Sequence, residues 1–151
     1  MIETTSRAMS RRDLPRILSL SRENMAPIIY SSWGVEFRDE DLLHIILEPT
    51  AYTEVIEAGG DIIAYFSVDV RADNLFVNSI QVQKDFQGLG LGTLMMRRIE
   101  GMATERGIPV VELWVQITNR AAMEFYRHVG YRMISRQGNN YMMRKVLGNG
   151  H

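Results

Sequence analysis

A glycine-rich segment between an apolar strand pattern and an amphipathic helix pattern constrains this chain most: Gln87-Gly88-Leu89-Gly90-Leu91-Gly92-Thr93. Glycines adopt φ angles that other residues avoid, and they let a ligand approach the backbone closely. The helix that follows offers unpaired backbone N–H groups and the positive end of its dipole, which together suit a phosphate. A flexible connector is the alternative interpretation of the same glycines.

Two other phosphate-binding patterns do not fit this segment. A P-loop ends in Gly-Lys-Ser or Gly-Lys-Thr, and no lysine adjoins Gly92-Thr93. A dinucleotide-binding fingerprint has the spacing Gly-x-Gly-x-x-Gly early in a parallel fold, whereas Gly88, Gly90 and Gly92 alternate here after three strand patterns. An adenine-nucleotide enzyme that uses this loop in another way stays open as an alternative.

The remaining sequence alternates strand and helix patterns with short connections, which predicts one domain. Three strand patterns precede the glycine segment, and a helix, an apolar strand, a helix and a closing hairpin follow it. We therefore predict an α+β fold with a mixed, mostly antiparallel central sheet of about seven strands and about four helices. The domain spans residues 1–147, residues 148–151 form a flexible tail, and residues 25–38 form an irregular connection.

Composition narrows the classes of function. The chain contains no cysteine, which excludes disulfides and cysteine nucleophiles and is compatible with a cytoplasmic location. A net charge of −1 argues against nucleic acid as a partner, and no apolar run reaches the roughly 20 residues that span a membrane. No side chains show metal-ligand spacing, so we expect no metal. Residues 1–73 hold 13 acidic and 7 basic side chains, which favours a cationic partner unless this surface is simply solvated.

A second segment, residues 119–131, follows the apolar strand. Taken alone, Asn119 is a good helix N-cap and Tyr126 is typical of a core position. Together the two segments resemble the GNAT superfamily of acyl-CoA-dependent N-acetyltransferases. Gln87-Gly88-Leu89-Gly90-Leu91-Gly92 matches that family's Gln/Arg-x-x-Gly-x-Gly/Ala loop, and its downstream pattern is matched by Asn119, Ala122, Tyr126 and Gly130-Tyr131.

The resemblance implies a GNAT-like fold and transfer of an acetyl group from acetyl-CoA to a primary amine, by direct attack in a ternary complex. It implies that Tyr126 is the general acid for the departing thiolate and that Asn119 binds the cofactor arm near the thioester. The backbone at Ile80 and Val82 would pair with the pantetheine arm. Backbone N–H groups of Gly88, Gly90, Gly92 and Thr93 would bind the pyrophosphate, and Gln87 and Leu89 of the same loop would also belong to the cofactor-binding site.

Amine acetylation requires a proton donor for the departing thiolate and a base for the attacking amine, and the sequence can be searched for both. A tyrosine pKa near 10 against a thiol pKa near 8.5 makes full proton transfer uphill by about 2 kcal/mol. Many family members place a glutamate on a central strand as the base, but this sequence has Asn78, Ser79, Gln81 and Gln116 there. The acids expected near the site are Glu36, Asp39 and Glu40, and Glu36 is our candidate base. A solvated loop acid is the alternative interpretation of Glu36.

Residues 25–37 join the first two helices, which in the family form a wall of the acceptor pocket. We expect Tyr30, Trp33, Glu36 and Phe37 to contact the acceptor, with a small satellite core as the alternative for the aromatic residues. The acceptor itself stays open among peptide amino groups, lysine side chains, polyamines, amino acids and aminoglycosides. A homodimer is also open, and so is the alternative that the chain is a sensor module that binds acyl-CoA with little or no catalysis.

Overall fold

The computed structural model describes residues 2–148, so residues 149–151 of the predicted tail lie outside the described part of the chain. Short 3-10 turns occupy Arg11–Asp13 and Lys84–Phe86. The helices are α1 (Leu14–Trp33), α2 (Asp39–Ile46), α3 (Leu91–Glu105) and α4 (Arg120–His128). The strands are β1 (Thr5–Ala8), β2 (Ala51–Ala58), β3 (Asp61–Val70), β4 (Leu75–Val82), β5 (Val110–Gln116), β6 (Arg132–Gln137) and β7 (Asn140–Val146).

The described strands form one sheet in the order β1-β2-β3-β4-β5-β7-β6. Neighbouring strands pair antiparallel except for β4 and β5, which run parallel because α3 crosses over between them. Seven strands, mostly antiparallel, with four α-helices confirm the predicted α+β class and the GNAT-like arrangement.

Apolar side chains cover both faces of the sheet. On one face, α3 and α4 pack a core with β3, β4 and β5 that contains Phe66, Met95 and Ile99. On the other face, α1 and α2 bury Ile17, Leu20, Leu42 and Ile46 against Val55, Ile62 and Tyr65. The helical spacing of Leu94, Met95, Ile99 and Met102 predicts that all four lie in the core. For Leu94 this is wrong: it is 49% exposed, because it lies beside the arc of α3 that faces the sheet.

The first helix is longer than the sequence predicts. α1 continues through Pro27 to Trp33 and ends at Gly34, whose φ of +69° suits a helix terminus. An interior proline removes one helical hydrogen bond and costs about 3 kcal/mol, which is why residues 25–38 read as irregular. Only residues 34–38 match that prediction.

Tertiary hydrogen bonds hold the second half of α1 in place. The hydroxyls of Ser31 and Ser32 lie 2.8 and 2.6 Å from Thr118 Oγ1, in the turn after β5. Asn139 Nδ2, in the β6–β7 turn, donates to the carbonyl of Ser32 at 2.6 Å. These contacts join the end of α1 to the far half of the sheet and offset the cost of the proline.

Candidate active site

A gap between β4 and β5 forms the centre of the site. The two strands pair from Leu75 with Val111 to Val77 with Leu113, and the pairing stops there although both strands continue. The register between β3 and β4 shifts at the same level, which makes Asn78 an extra residue on β4. The gap opens into a cavity of about 970 Å³ lined by α1, the α1–α2 loop, α2, the glycine segment and α4.

Backbone groups of β4 point into this gap. Gln83 N–H donates to Ile63 O on β3 at 2.8 Å, and backbone directions alternate along an antiparallel strand. The N–H and C=O groups of Val82 and Ile80 therefore point away from β3 and into the gap. This is the edge along which the resemblance to the GNAT superfamily implies that the pantetheine arm binds.

The carbonyl of Val82 is already occupied by side chains. It accepts hydrogen bonds from Asn24 Nδ2 on α1 at 2.9 Å and from Gln87 Nε2 at 3.0 Å. Gln87 thus ties the start of the glycine segment to the end of β4. The backbone groups on this edge that stay available to a ligand, within the described residues, are the N–H of Val82 and both groups of Ile80.

The glycine segment has the geometry of an anion-binding helix N-terminus. Gly88 and Gly90 have φ angles of +79° and +87°, which side chains disfavour. The first helical hydrogen bond of α3 runs from Leu94 N–H to Gly90 O at 3.0 Å. The N–H groups of Gly92 and Thr93, which both line the cavity, therefore have no helical partner and suit a phosphate.

Gly92 also has a packing role that the sequence does not reveal. A Cβ added there would lie 3.1 Å from Cζ of Phe125, on α4. The absence of a side chain at position 92 thus lets α3 and α4 approach each other beside the cavity.

Tyr126 lies at the cavity wall with its ring buried, 7% exposed. The ring centroids of Phe125 and Tyr131 are 5.3 and 5.9 Å away. Burial raises the pKa of Tyr126 above its ordinary value, so the phenol is protonated at neutral pH. No described residue hydrogen-bonds its hydroxyl, and the proton is free for a ligand.

Tyr131 forms a support behind Tyr126. Its hydroxyl donates to Glu100 Oε2 at 2.9 Å, and Lys145 Nζ donates to Glu100 Oε1 at 2.9 Å. Burial, and then the Glu100 carboxylate, raise the pKa of Tyr131. The ring against which Tyr126 packs is therefore held by one hydrogen bond, to a Glu100 carboxylate that Lys145 in turn fixes.

Asn119 is the N-cap of α4 and also lines the cavity. Its side-chain oxygen accepts from Ala122 N–H at 3.3 Å, as the simpler interpretation of this residue predicts. The carboxamide nitrogen is a separate donor, so the cap does not compete with hydrogen bonding of a cofactor arm by the same side chain.

The acids around the cavity differ from those expected. Glu36 lines it, as predicted, but Asp39 contacts Arg22 and neither Asp39 nor Glu40 lines it. Glu23 on α1 and Asp41 on α2 do line it, although sequence reasoning missed both. All three lining acids are largely exposed, and the cavity-facing residues of β4 and β5 include no carboxylate.

Three predicted contact residues lie outside the cavity. Leu89 is 58% exposed at the tip of the glycine segment, and Tyr30 is 66% exposed on the outer side of α1. Trp33 packs on the β6–β7 turn, where its Cη2 lies 3.0 Å from the position of a Cβ at Gly138. Phe37 lines the cavity, and its contact with the acceptor stays a prediction.

Sequence reasoning missed the polar face of α1. Ser21 and Asn24 both line the cavity, three residues apart on the side of the helix that packs on the sheet. Asn24 Nδ2 also donates to Gln81 Oε1 at 3.1 Å. Polar residues at helical spacing next to the buried Ile17 and Leu20 are the signal that could have found them.

The described residues contain no group of side chains that could hold a metal ion. No described helix combines the length and the apolar character needed to cross a bilayer.

Comparison with known families decides the classification. The model of the acetyltransferase (GNAT) family matches residues 15–131, which include the glycine segment, the gap and Tyr126. The chain belongs to the GNAT family. This confirms the resemblance seen in the sequence.

Individual relatives agree with the family assignment. An uncharacterized N-acetyltransferase of Methanocaldococcus jannaschii is 40% identical over 55 residues, which are 36% of this GNAT chain and 24% of that protein. The PaiA N-acetyltransferase of Thermoplasma acidophilum, solved in complex with coenzyme A, superposes with a TM-score of 0.83 at 17% identity, covering 97% of this chain and 100% of that one. The ribosomal-protein-S18-alanine N-acetyltransferase of Escherichia coli gives 0.75 at 18% identity, covering 99% of both chains.

Proposed function

We propose that this chain is an N-acetyltransferase that moves an acetyl group from acetyl-CoA to a primary amine by direct attack in a ternary complex. One observation carries the proposal: the gap between β4 and β5, the amide-lined glycine segment and the Tyr126 hydroxyl all open into the same cavity. An extended donor with a phosphate at one end and a thioester at the other fits that arrangement. Membership of the GNAT family supports the same donor.

The donor is held by main-chain groups. Backbone N–H groups of Gly88, Gly90, Gly92 and Thr93 bind the pyrophosphate, and Lys84, which lines the cavity beside them, adds a positive charge. The pantetheine arm then follows the open edge of β4, at Val82 N–H and Ile80. This orientation brings the sulfur end of the donor towards Tyr126.

Tyr126 protonates the sulfur as the C–S bond breaks. A buried tyrosinate is unfavourable because burial raises the pKa of Tyr126. The hydroxyl proton must therefore pass to sulfur while the phenol regains a proton that the nitrogen loses. In this coupled step the N–C bond forms, the C–S bond breaks, and one proton moves in net terms from nitrogen to sulfur. Asn119 Nδ2 hydrogen-bonds the donor near the thioester.

The acceptor that suits this site best is an α-amino group. No carboxylate faces the cavity from β4 or β5, so the amine receives little help in losing a proton before attack. At pH 7 an α-amine with a pKa near 7.7 is neutral in about one molecule of six, whereas a lysine side chain is neutral in roughly one of 10³. Glu23, Glu36 and Asp41 outnumber Arg38 on the α1–α2 side of the cavity, and this net negative charge attracts the cationic form of the amine before it enters.

Release of free CoA thiol from acetyl-CoA, measured against a panel of amines, tests this function. The panel contains peptides with a free N-terminus and no lysine, N-blocked peptides with lysine, polyamines, amino acids and aminoglycosides. We expect the lysine-free peptides to react fastest. Thermal stabilisation by acetyl-CoA without thiol release from any amine would instead support the sensor module, and stabilisation by ATP but not by CoA would support the adenine-nucleotide alternative.

Location and assembly rest on the sequence alone. A cytoplasmic location and a homodimer stay predictions, which fractionation of cells and light scattering of the purified chain test directly.

A further inference from the structure

A chain of three hydroxyl groups runs from the core to the cavity. Tyr65, on β3, is completely buried, and its hydroxyl contacts both Ser21 on α1 and Ser79 on β4. The Tyr65–Ser79 distance is 2.7 Å. Ser79 lines the cavity, two residues beyond the last β4–β5 pair. The mechanism proposed above uses none of these three residues.

The hydrogen bond at the Ser21 end determines the direction of every hydrogen bond among the three hydroxyl groups. Ser21 Oγ also lies 2.7 Å from the carbonyl oxygen of Ile17, which can only accept, so the Ser21 proton points to that carbonyl. Ser21 Oγ must then accept from Tyr65. Because the phenol has one proton, the Tyr65 oxygen in turn accepts from Ser79. Only this arrangement lets the three hydroxyl protons satisfy all three hydrogen bonds.

Ser79 therefore meets the cavity with lone pairs and no proton. A serine hydroxyl elsewhere rotates to donate or to accept, but this one has its proton committed to Tyr65. Its side chain lies on the same side of β4 as that of Gln81, which hydrogen-bonds Asn24 of α1. That is the α1 side of the sheet, where the α1–α2 loop lines the cavity and where we expect the acceptor to bind.

We propose that Ser79 Oγ is the docking point for the acceptor amine, accepting one N–H of the nucleophile, and that Tyr65 and Ser21 fix this polarity as positioning residues. The inference rests on the proposed acetyltransferase function. A neutral primary amine has two N–H bonds and one lone pair. Holding one N–H at Ser79, beside the gap, leaves the lone pair free to face the thioester carbon.

Steady-state kinetics of Ser79→Ala test the proposal, with a lysine-free α-amino peptide as acceptor. Loss of one hydrogen bond is expected to raise the KM for the peptide roughly 5- to 10-fold, while the KM for acetyl-CoA stays within about 2-fold. Ser67→Ala is the matched control, because Ser67 pairs with Ser79 across the strands, is fully buried, bonds Thr53 Oγ1 at 2.9 Å and does not line the cavity. This control lowers Tm without changing the KM for the peptide.

Tyr65→Phe tests whether the fixed orientation of the Ser79 proton matters, and not only the presence of the Ser79 hydroxyl. It leaves Ser79 in place but frees its proton, so the KM for the peptide rises about 2- to 5-fold. In the Ser79→Ala background the same change has no further effect on KM, because both act through one oxygen. An unchanged peptide KM in Ser79→Ala, or equal Tyr65→Phe effects in both backgrounds, overturns the docking role while leaving acetyl transfer intact. Absence of thiol release by the unmodified protein overturns both proposals.

Discussion

The ring of Tyr131 lies edge-on to the ring of Tyr126, with the two centroids 5.9 Å apart and the planes inclined by 64°. Tyr131 is itself held by Glu100, which Lys145 also contacts. The hydroxyl of Tyr126 thus has a fixed position although no described residue hydrogen-bonds it. Because ring packing alone positions the Tyr126 hydroxyl, this group is available to donate its proton to an atom that arrives with the substrate.

Tyr126→Phe removes that proton and keeps the packing. We expect kcat to fall by roughly 10²-fold or more, with the dissociation constant of acetyl-CoA nearly unchanged, because general-acid catalysis supplies a factor of this size. Thiol release and isothermal titration measure the two quantities. Tyr30→Phe, which changes an exposed tyrosine outside the cavity, serves as the control. A Tyr126→Phe enzyme with the normal kcat would contradict the acid role.

The dependence of activity on pH follows from the raised pKa of Tyr126. A phenol whose pKa lies above its ordinary value of 10 keeps its proton throughout the range below pH 10. The kcat/KM for a peptide α-amine is therefore expected to rise up to the pKa of the amine, near 8, and then to stay level to about pH 10. Initial rates between pH 6 and 10 measure this profile. A descending limb below pH 9 that disappears in Tyr126→Phe would show a lowered pKa instead.

Gly92→Ala is expected to disturb the contact between α3 and α4. The new Cβ would lie 3.1 Å from Phe125, in the first turn of α3, where we propose that the pyrophosphate binds. We expect a loss of about 1–3 kcal/mol in the free energy of unfolding and weaker acetyl-CoA binding. Gly101→Ala, in the same helix and with open space around it, should instead be stabilising by about 0.5–1 kcal/mol. Urea unfolding measures the change in the free energy of unfolding for both variants. Equal changes in Gly92→Ala and Gly101→Ala would contradict the steric argument.

Substitution of Asn119 can separate its two roles. Asn119→Ala loses the cap on Ala122 and the free carboxamide nitrogen, so both stability, by about 1 kcal/mol, and activity fall. Asn119→Asp keeps a capping oxygen but has no N–H to offer, so it is expected to retain stability and still lose activity. Thermal unfolding and thiol release are measured side by side. Full activity in Asn119→Asp would mean that Asn119 is a cap and nothing more.

Phe37 and Trp33 allow a comparable test of the acceptor wall. Phe37→Ala is expected to raise the KM for the amine several-fold, because Phe37 lines the cavity. Trp33→Ala should lower Tm while leaving that KM unchanged, because Trp33 packs on the turn at Gly138. If Trp33→Ala raises the KM and Phe37→Ala does not, the sequence-based assignment of Trp33 to the acceptor pocket is the correct one.

Much of the architecture could be predicted because it depends on local patterns. Alternating apolar residues define the strands, and the glycine segment identifies the start of α3 with little dependence on the remainder of the chain. The extent of α1 could not be predicted in this way, since Pro27 is locally unfavourable and the helix depends on contacts of Ser31 and Ser32 with residues 86–107 positions away.

The same distinction holds within the candidate site. Tyr126 and Asn119 follow from a short segment with a recognisable spacing, and their roles stay predictions that the variants above test. The hydroxyl chain of Ser21, Tyr65 and Ser79 joins three elements and has no sequence spacing of its own. Glu23 and Asp41 line the same cavity from α1 and α2, two helices that contact each other, and no local sequence pattern predicts that contact.

The attachment of α1 on both sides of the gap has a thermodynamic consequence. Asn24 joins the helix to the end of β4, and Ser31 and Ser32 join it to Thr118, after β5. The helix therefore acts as a rigid spacer that sets the width of the opening before any ligand arrives. Binding of the proposed donor is therefore expected to spend little free energy on ordering the protein, which leaves a large share of the contact energy as affinity.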